Sequence, residues 1–193
     1  MAEERVYLKL KSSNDYSPYH YDIIFQIMHG KKTIGFIKGV VFNCLKMKQE
    51  KNKISIEDIF SSAGYTEKDL WRALVKNDKE YEKNKYTSKQ YEDTFKLSFF
   101  NSNHFFIKEF YMDKYYRDRG CFSFALELLP YYLCKDKKNF IEIMIVHNPD
   151  HESWRKKVEK YFSNCKNFDP MGETEFLFHN ILYDISEEVV TTT

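Results

Sequence analysis

The sequence predicts a mixed α/β domain in which a twisted central sheet is flanked by helices. Two observations lead to this prediction. Short apolar runs rich in branched and aromatic residues recur along the 193-residue chain, as expected of strands. In other segments apolar residues recur every three or four positions, as expected of helices. The length suits a single domain over residues 1–193, with a helical insertion over residues 46–98.

The N-terminal part of the chain predicts three strands. Residues 5–11 alternate between apolar and polar side chains, which indicates a half-buried strand. Residues 21–28 and 33–42 are apolar runs on either side of a short polar turn, and together they predict a hairpin. Gly35 and Gly39 lie inside the second run and indicate a bulge or a close approach of a neighbouring backbone.

The insertion begins with a charged linker over residues 46–53. Ser55 is a suitable N-cap for a first helix, which should end at Gly64, and a second helix should open at Thr66. A third helix is expected over residues 88–99.

We expect the insertion to be mainly helical and to dock on the sheet through Phe60, Trp71 and Leu74. Two roles stay open for it: a packing unit without chemistry, or a wall that shapes a binding pocket.

Residues 104–129 carry the strongest functional signal. An aromatic strand over residues 104–112 leads into a charged turn that contains Arg117 and Arg119 and ends at Gly120. An amphipathic helix follows, with its apolar face formed by Phe122, Ala125, Leu126 and Leu129. Free backbone N–H groups at a helix N-terminus, together with two arginines, favour an anion at this turn.

The C-terminal part predicts a second buried strand over residues 139–146. Because a crossover helix connects it to strand 104–112, the two strands should be parallel. Pro130 predicts a kink or an end of that helix nearby. A helix over about residues 151–165 and one strand or a bent strand pair over residues 174–185 complete the chain.

This order of elements, with Arg117, Gly120 and Phe122 in the turn, resembles the acyl-CoA-binding core of the GNAT superfamily of N-acyltransferases. The resemblance covers roughly residues 5–42 and 100–185. In that family a strand leads into Arg/Gln-x-x-Gly-x-Gly/Ala, and the next helix directs its N-terminus at the pyrophosphate of coenzyme A. Phe122 departs from the pattern, so its ring either turns into the core or obstructs the cofactor.

The resemblance implies a GNAT-like fold and direct transfer of an acyl group from acetyl-CoA, or another acyl-CoA, to an amine on a small molecule or a protein. It implies that strands 104–112 and 139–146 are adjacent and splayed at their C-terminal ends, where the pantetheine enters. It also implies a cofactor surface at the end of the motif strand, in the turn and after the next strand. Its expected members are Phe110, Tyr111, Met112, Arg117, Arg119, Gly120, Cys121, Phe122 and Asn148.

Transfer to an amine requires a base for the amine proton and benefits from an acid for the leaving thiolate. Glu109 is the candidate base, because burial in an apolar strand would raise its pKa. The alternative for Glu109 is a salt bridge with Lys108 or with a surface lysine at a strand edge. Tyr161 matches the family's general-acid tyrosine, and its alternative is one more core aromatic.

Composition and residue spacing argue against several other classes of function. The net charge of +1 gives no global field for nucleic acid or an anionic membrane. No apolar window could span a membrane and the N-terminus has no apolar signal core, so a cytoplasmic location is expected. The cysteines form no CxxC pair and the histidines show no ligand spacing, so no metal site is expected. A homodimer and a catalytically inactive, protein-binding module of the same fold stay open.

Overall fold

The computed structural model describes residues 5–14, 17–50, 53–84, 103–133, 141–148, 152–163, 168–171 and 174–181. Seven strands lie within these ranges: β1 Val6–Asn14, β2 His20–His29, β3 Lys32–Phe42, β4 Asn103–Met112, β5 Ile141–His147, β6 Asp169–Pro170 and β7 Phe176–Asn180. They form one sheet in the order β1-β2-β3-β4-β5-β7-β6. The β4–β5 pair is parallel and the other neighbouring pairs are antiparallel, so the predicted adjacent, parallel strands are confirmed.

Helices lie on both faces of the sheet, which confirms the mixed α/β class. They are α1 Cys44–Gln49, α2 Ile56–Ala63, α3 Tyr65–Asn84, α4 Cys121–Leu133 and α5 Glu152–Val158. A 3₁₀ turn, Lys114–Tyr116, lies between β4 and α4, and α5 runs on into a π-helical turn, Glu159–Ser163. Pro130 is buried inside α4, which ends soon after it at Leu133.

The predicted hairpin is formed by β2 and β3, and Gly30 in its turn has a φ of 57°. The close approach predicted at Gly35 and Gly39 is also confirmed. A Cβ atom at either glycine would clash with a backbone carbonyl oxygen of β4, that of Tyr111 or that of Phe106. The two glycines therefore allow β3 to pair closely with β4.

Alternating side chains of the central strands supply two cores. Phe105 and Ile107 of β4 face one side, where α4 and α5 pack against them. Phe106 lies between them in sequence and faces the other side, where α1, α2 and α3 pack. Each face of the sheet thus buries its own apolar cluster.

The insertion docks on the second face as predicted. Phe60 and Leu74 are fully buried, and half-buried Trp71 lies with its ring centroid 5.6 Å from that of Phe60. Ser55 caps α2 by accepting a hydrogen bond from the Asp58 N–H (3.3 Å). The third predicted helix, over residues 88–99, falls outside the described residues.

The prediction of a linker over residues 46–53 is wrong in its first part, because α1 occupies Cys44–Gln49. Asn43 caps this helix by accepting a hydrogen bond from the Lys46 N–H (3.0 Å), and Cys44 and Met47 are buried. A helix of six residues with only two buried side chains has too few apolar positions for its sequence to be distinguished from a charged linker.

The strand pair at the C-terminus is β6 with β7, and its first strand lies before residue 174, where the predicted pair begins. Among the described residues, the helices are all too short or too polar to cross a membrane.

Candidate functional site

The site is organised by an interruption in the middle of β4. Pairing with β5 runs only from Asn103 to Ile107, although β4 continues to Met112. On the other side, the pairing with β3 shifts register, so that Lys108 is an extra residue without a partner position on β3. Such a bulge kinks a strand and redirects the side chains that follow it. Lys108 therefore lies outside the pairing register on both sides.

The bulge changes which residues of β4 face α4. Beyond it, Phe110 and Met112 point into the α4 cluster, while Tyr111 is 47% exposed on the other face. The Tyr111 ring stacks on Phe36 with centroids 5.8 Å apart, and the Arg117 guanidinium lies 5.8 Å from the same ring. The predicted cofactor residues of β4 thus divide between two faces of the sheet.

The turn after β4 is held by its own polar groups. The Asp113 side chain accepts a hydrogen bond from the Tyr115 N–H (3.0 Å), and its backbone N–H donates to the Ile34 carbonyl (2.7 Å). Asp118 and Gly120 have φ angles of 60° and 73°, which turn the chain into α4. A Cβ atom at Gly120 would meet nothing within 4 Å, so the space above this residue is open.

The N-terminus of α4 opens onto this space. The first bond of the helix runs from the Phe124 N–H to the Gly120 carbonyl (2.9 Å). The N–H groups of Cys121, Phe122 and Ser123 come before it and have no acceptor within the helix. Together with the helix dipole they make this end of α4 attractive to an anion.

Charged side chains surround the same turn. Arg117 is anchored by its Nε–H, which donates to the Met112 carbonyl (2.9 Å), and Arg119 is exposed. Lys160, in the π-helical turn after α5, forms an ion pair with Asp118. The hydrogen bond to Asp118 is the main reason why the pKa of Lys160 is raised. Lys160 could not be predicted from the sequence, because only folding brings it to the turn.

The ring of Phe122 points into the core behind α4. The residue is 3% exposed, and its ring centroid lies 5.1 Å from that of Phe110, 4.8 Å from Tyr161 and 5.9 Å from Phe162. It therefore leaves the space in front of the helix N-terminus open. Of the two outcomes expected for Phe122, the structure has the one compatible with an anion at the turn.

Two predicted residues lie beside the end of the parallel strand pair. Tyr161 is half-buried, and its ring meets Phe110 edge-on at 5.8 Å. Asn148 follows β5, and its backbone N–H donates to the Glu175 carbonyl (2.6 Å). Its side-chain Oδ1 is buried and accepts no hydrogen bond from the described residues. Because buried polar atoms normally form hydrogen bonds, this oxygen is a suitable acceptor for a hydrogen-bond donor of a ligand.

The premise for Glu109 as a base is wrong, because this residue is exposed on β4, where it lies opposite Lys38 in the register with β3. Beyond the bulge at Lys108, the Glu109 side chain lies on the same face of the sheet as that of Tyr111, away from α4. Among the described residues, Glu67 of α3 is the one buried carboxylate, and it forms an ion pair with Lys108. Sequence reasoning missed Glu67, because an acidic residue in the first turn of a helix is ordinarily solvated.

His20 adjoins this ion pair. Burial lowers its pKa, the charges of Asp22 and Glu67 act in the opposite direction, and Lys108 lowers it further. The Ser62 Oγ lies 3.4 Å from its Nε2. His20, Glu67 and Lys108 thus place a second polar cluster on the face of the sheet opposite α4.

Within the part of the chain that the structure describes, His, Cys, Asp and Glu side chains form no group of three that could hold a metal ion. Comparison with known families finds no family model that matches the chain. A search of curated proteins finds no match either.

Proposed function

We propose that the protein is an acyl-CoA-dependent N-acyltransferase with a GNAT-like fold, which transfers an acyl group, in the simplest case acetyl, to an amine. The observation that carries this proposal is the turn at Gly120. It combines helix N–H groups without an acceptor in the helix, an open approach and three cationic side chains next to the end of the β4–β5 pairing.

The pyrophosphate of the donor would lie in front of α4. The N–H groups of Cys121 and Phe122 would supply hydrogen bonds, and Gly120 would let the phosphate oxygens approach. Arg117 and Arg119 would add charge-assisted bonds, which are the stronger kind. Arg117 suits this role, because its Nε–H is already fixed on Met112 and its outer nitrogens form no hydrogen bond to the described residues.

The pantetheine arm would enter where β4 and β5 stop pairing. Asn148 offers its buried amide oxygen there, and any backbone N–H group of β4 over Phe110–Met112 that points away from β3 would be a donor for the oxyanion of the reaction. Tyr161 lies beside Phe110, within the same region, and would protonate the leaving thiolate.

The second candidate is an inactive module of the same fold that binds a protein. It is favoured by three exposed aromatic side chains at this end of the molecule, Tyr111, Tyr115 and Phe124. Exposed apolar surface of this kind often marks a protein contact. This candidate requires no cofactor, so cofactor binding distinguishes the two.

The test is calorimetric titration of acetyl-CoA into the wild-type protein and two arginine variants. Arg117→Ala should weaken binding by about 1.5–3 kcal/mol, or roughly ten- to a hundred-fold, because it removes a hydrogen bond to a charged group. Arg72→Ala is the matched control, since Arg72 is exposed on α3 and pairs with Asp69 on the same helix. Equal affinities for the wild type and the Arg117 variant would contradict the proposed site.

A further inference from the structure

The ion pair between Glu67 and Lys108 joins the insertion to the bulge of β4. Lys108 leaves the sheet at the bulge, and its Nζ contacts the Glu67 carboxylate and donates to the Ala63 carbonyl (3.3 Å). The Glu67 side chain is 2% exposed, whereas that of Lys108 is 31% exposed. The carboxylate is thus buried behind the amine, and the amine can be approached from solvent.

The local backbone is shaped around this carboxylate. Gly64 ends α2, and a Cβ atom there would lie only 2.9 Å from the Glu67 Cδ. A larger residue at position 64 would push the carboxylate away from Lys108. The imidazole of His20 faces the pair from β2, Asp22 adds a negative charge, and Ser62 contacts His20.

Stability alone does not explain why an ion pair, and not an apolar pair, lies at this position. Removing two charges from water costs several kcal/mol, and a well-packed apolar pair is often at least as stable. The position of the pair is also notable, because Lys108 is the bulge residue of β4 toward β3 and directly follows Ile107, the last residue paired with β5. Its amine is therefore attached to the strand that would present the thioester.

Resting on the proposed function, we propose that Lys108 is itself an acyl acceptor, and that Glu67 is the base that makes its amine neutral. The chain would then acylate itself at Lys108 when an acyl-CoA is bound and no other amine is present. Amines that the protein acylates in trans would take the same place beside Glu67.

The reaction balances with the groups named. The Lys108 ammonium gives one proton to Glu67, and the neutral nitrogen attacks the carbonyl carbon of the thioester. The C–N bond forms, the C–S bond breaks, and the sulfur leaves as a thiolate. Tyr161 gives its proton to this thiolate, and the second proton, lost from nitrogen as the amide forms, restores the Tyr161 hydroxyl, so the products are an amide on Lys108 and free coenzyme A.

Acylation also predicts a physical change that is independent of turnover. It removes the positive charge that compensates the buried Glu67, and breaking a buried pair is destabilising. We expect the melting temperature of the acylated protein to be below that of the unmodified protein.

The experiment incubates the full chain with acetyl-CoA alone and locates acetyl groups by mass spectrometry of the digested protein. We expect acetylation at Lys108, loss of that label in Lys108→Arg, and labelling about a hundred-fold slower in Glu67→Gln, as for loss of a general base. Glu57→Gln is the matched control, because Glu57 is an exposed carboxylate of the neighbouring helix α2. If Glu67→Gln does not fold, Arg117→Ala serves in its place, because Arg117 lies outside the core. This variant should slow acetylation at Lys108 by weakening the binding of acetyl-CoA.

Two results would overturn the inference while leaving cofactor binding intact. One is acetylation spread evenly over exposed lysines such as Lys32 and Lys114, without an effect of the Glu67 change. The other is an unlabelled Lys108 in a protein that binds acetyl-CoA by calorimetry. If the protein neither binds acetyl-CoA nor becomes labelled, the proposed function fails together with the inference.

Discussion

The turn at Gly120 and the α2–α3 junction both contact the second half of β4, but they are built in opposite ways. The turn is exposed, and its charges lie in solvent around free N–H groups. The junction buries the carboxylate of Glu67 against Lys108 beneath two helices. Arg117 and Arg119 of the turn form no ion pair within the part of the chain that the structure describes, so they are available to an anionic ligand, whereas Lys108 and Glu67 of the junction are paired with each other. The comparison predicts that changes in the turn alter binding and changes at the junction alter stability.

The largest loss of stability should follow from the apolar contact that holds the junction on the sheet. Phe60 is fully buried, and its ring stacks on Phe42 with centroids 4.1 Å apart. Phe60→Ala should lower the free energy of unfolding by about 3–5 kcal/mol in denaturant titrations, because it leaves a cavity.

The matched control is Phe124→Ala in α4, on the side of the turn, where Phe124 is 45% exposed. That change should stay within about 0.5 kcal/mol of the wild type. Similar losses in the two variants would show that the insertion does not depend on this contact.

A smaller loss should follow from removal of the amine of Lys108. Lys108→Met leaves Glu67 buried without its partner and should cost about 3 kcal/mol in the same titrations, the lower end for a broken buried pair. The double variant with Glu67→Gln should recover part of that loss, since the second change removes the uncompensated charge.

The ion pair of the turn provides the contrast. Lys160 and Asp118 are both exposed, so Asp118→Asn should leave the unfolding transition unchanged. Equal destabilisation by Lys108→Met and Asp118→Asn would contradict the difference drawn between the two regions.

The sequence predicted the turn better than the junction for a physical reason. Arg117, Arg119 and Gly120 are contiguous, so their chemistry is apparent before folding, as is the hydrophobic pattern of the helix that follows. Glu67 and Lys108 are brought together by tertiary packing, and neither has a distinctive local pattern. The exposure of Glu109 likewise depends on a bulge that propensity cannot place.

The strands were predicted nearly in full, because branched and aromatic runs identify them directly. Helix α1 was missed, since its two buried residues, Cys44 and Met47, are too few to set a helical period. The sequence also left both outcomes open for Phe122. Only the packed core, with Phe110 and Tyr161 around the ring, decides which way the side chain turns.

The smallest effect expected is a pH dependence at the junction. Burial lowers the pKa of His20, while an unfolded histidine titrates near 6.5. Above that pH His20 is neutral in the folded and unfolded states, so it adds nothing to the pH dependence of stability. Below pH 6.5 the unfolded chain binds a proton at His20 that the folded chain does not. The free energy of unfolding therefore decreases as the pH is lowered from 6.5 to the lowered pKa of the folded state, and stays constant below that pKa.

His20→Gln removes this contribution. Its melting temperature should therefore fall less than that of the wild type between about pH 7 and pH 5. Parallel pH profiles for the two proteins would mean that burial of His20 does not oppose its protonation.

Whether the turn at Gly120 holds an acyl-CoA is tested most directly by calorimetric titration of acetyl-CoA into the wild-type protein. We expect saturable binding of one cofactor per chain, weakened in Arg117→Ala and unchanged in Arg72→Ala. No detectable heat at about 1 mM acetyl-CoA, where even an interaction of about −4 kcal/mol would be half saturated, would contradict the acyltransferase proposal and favour a protein-binding module.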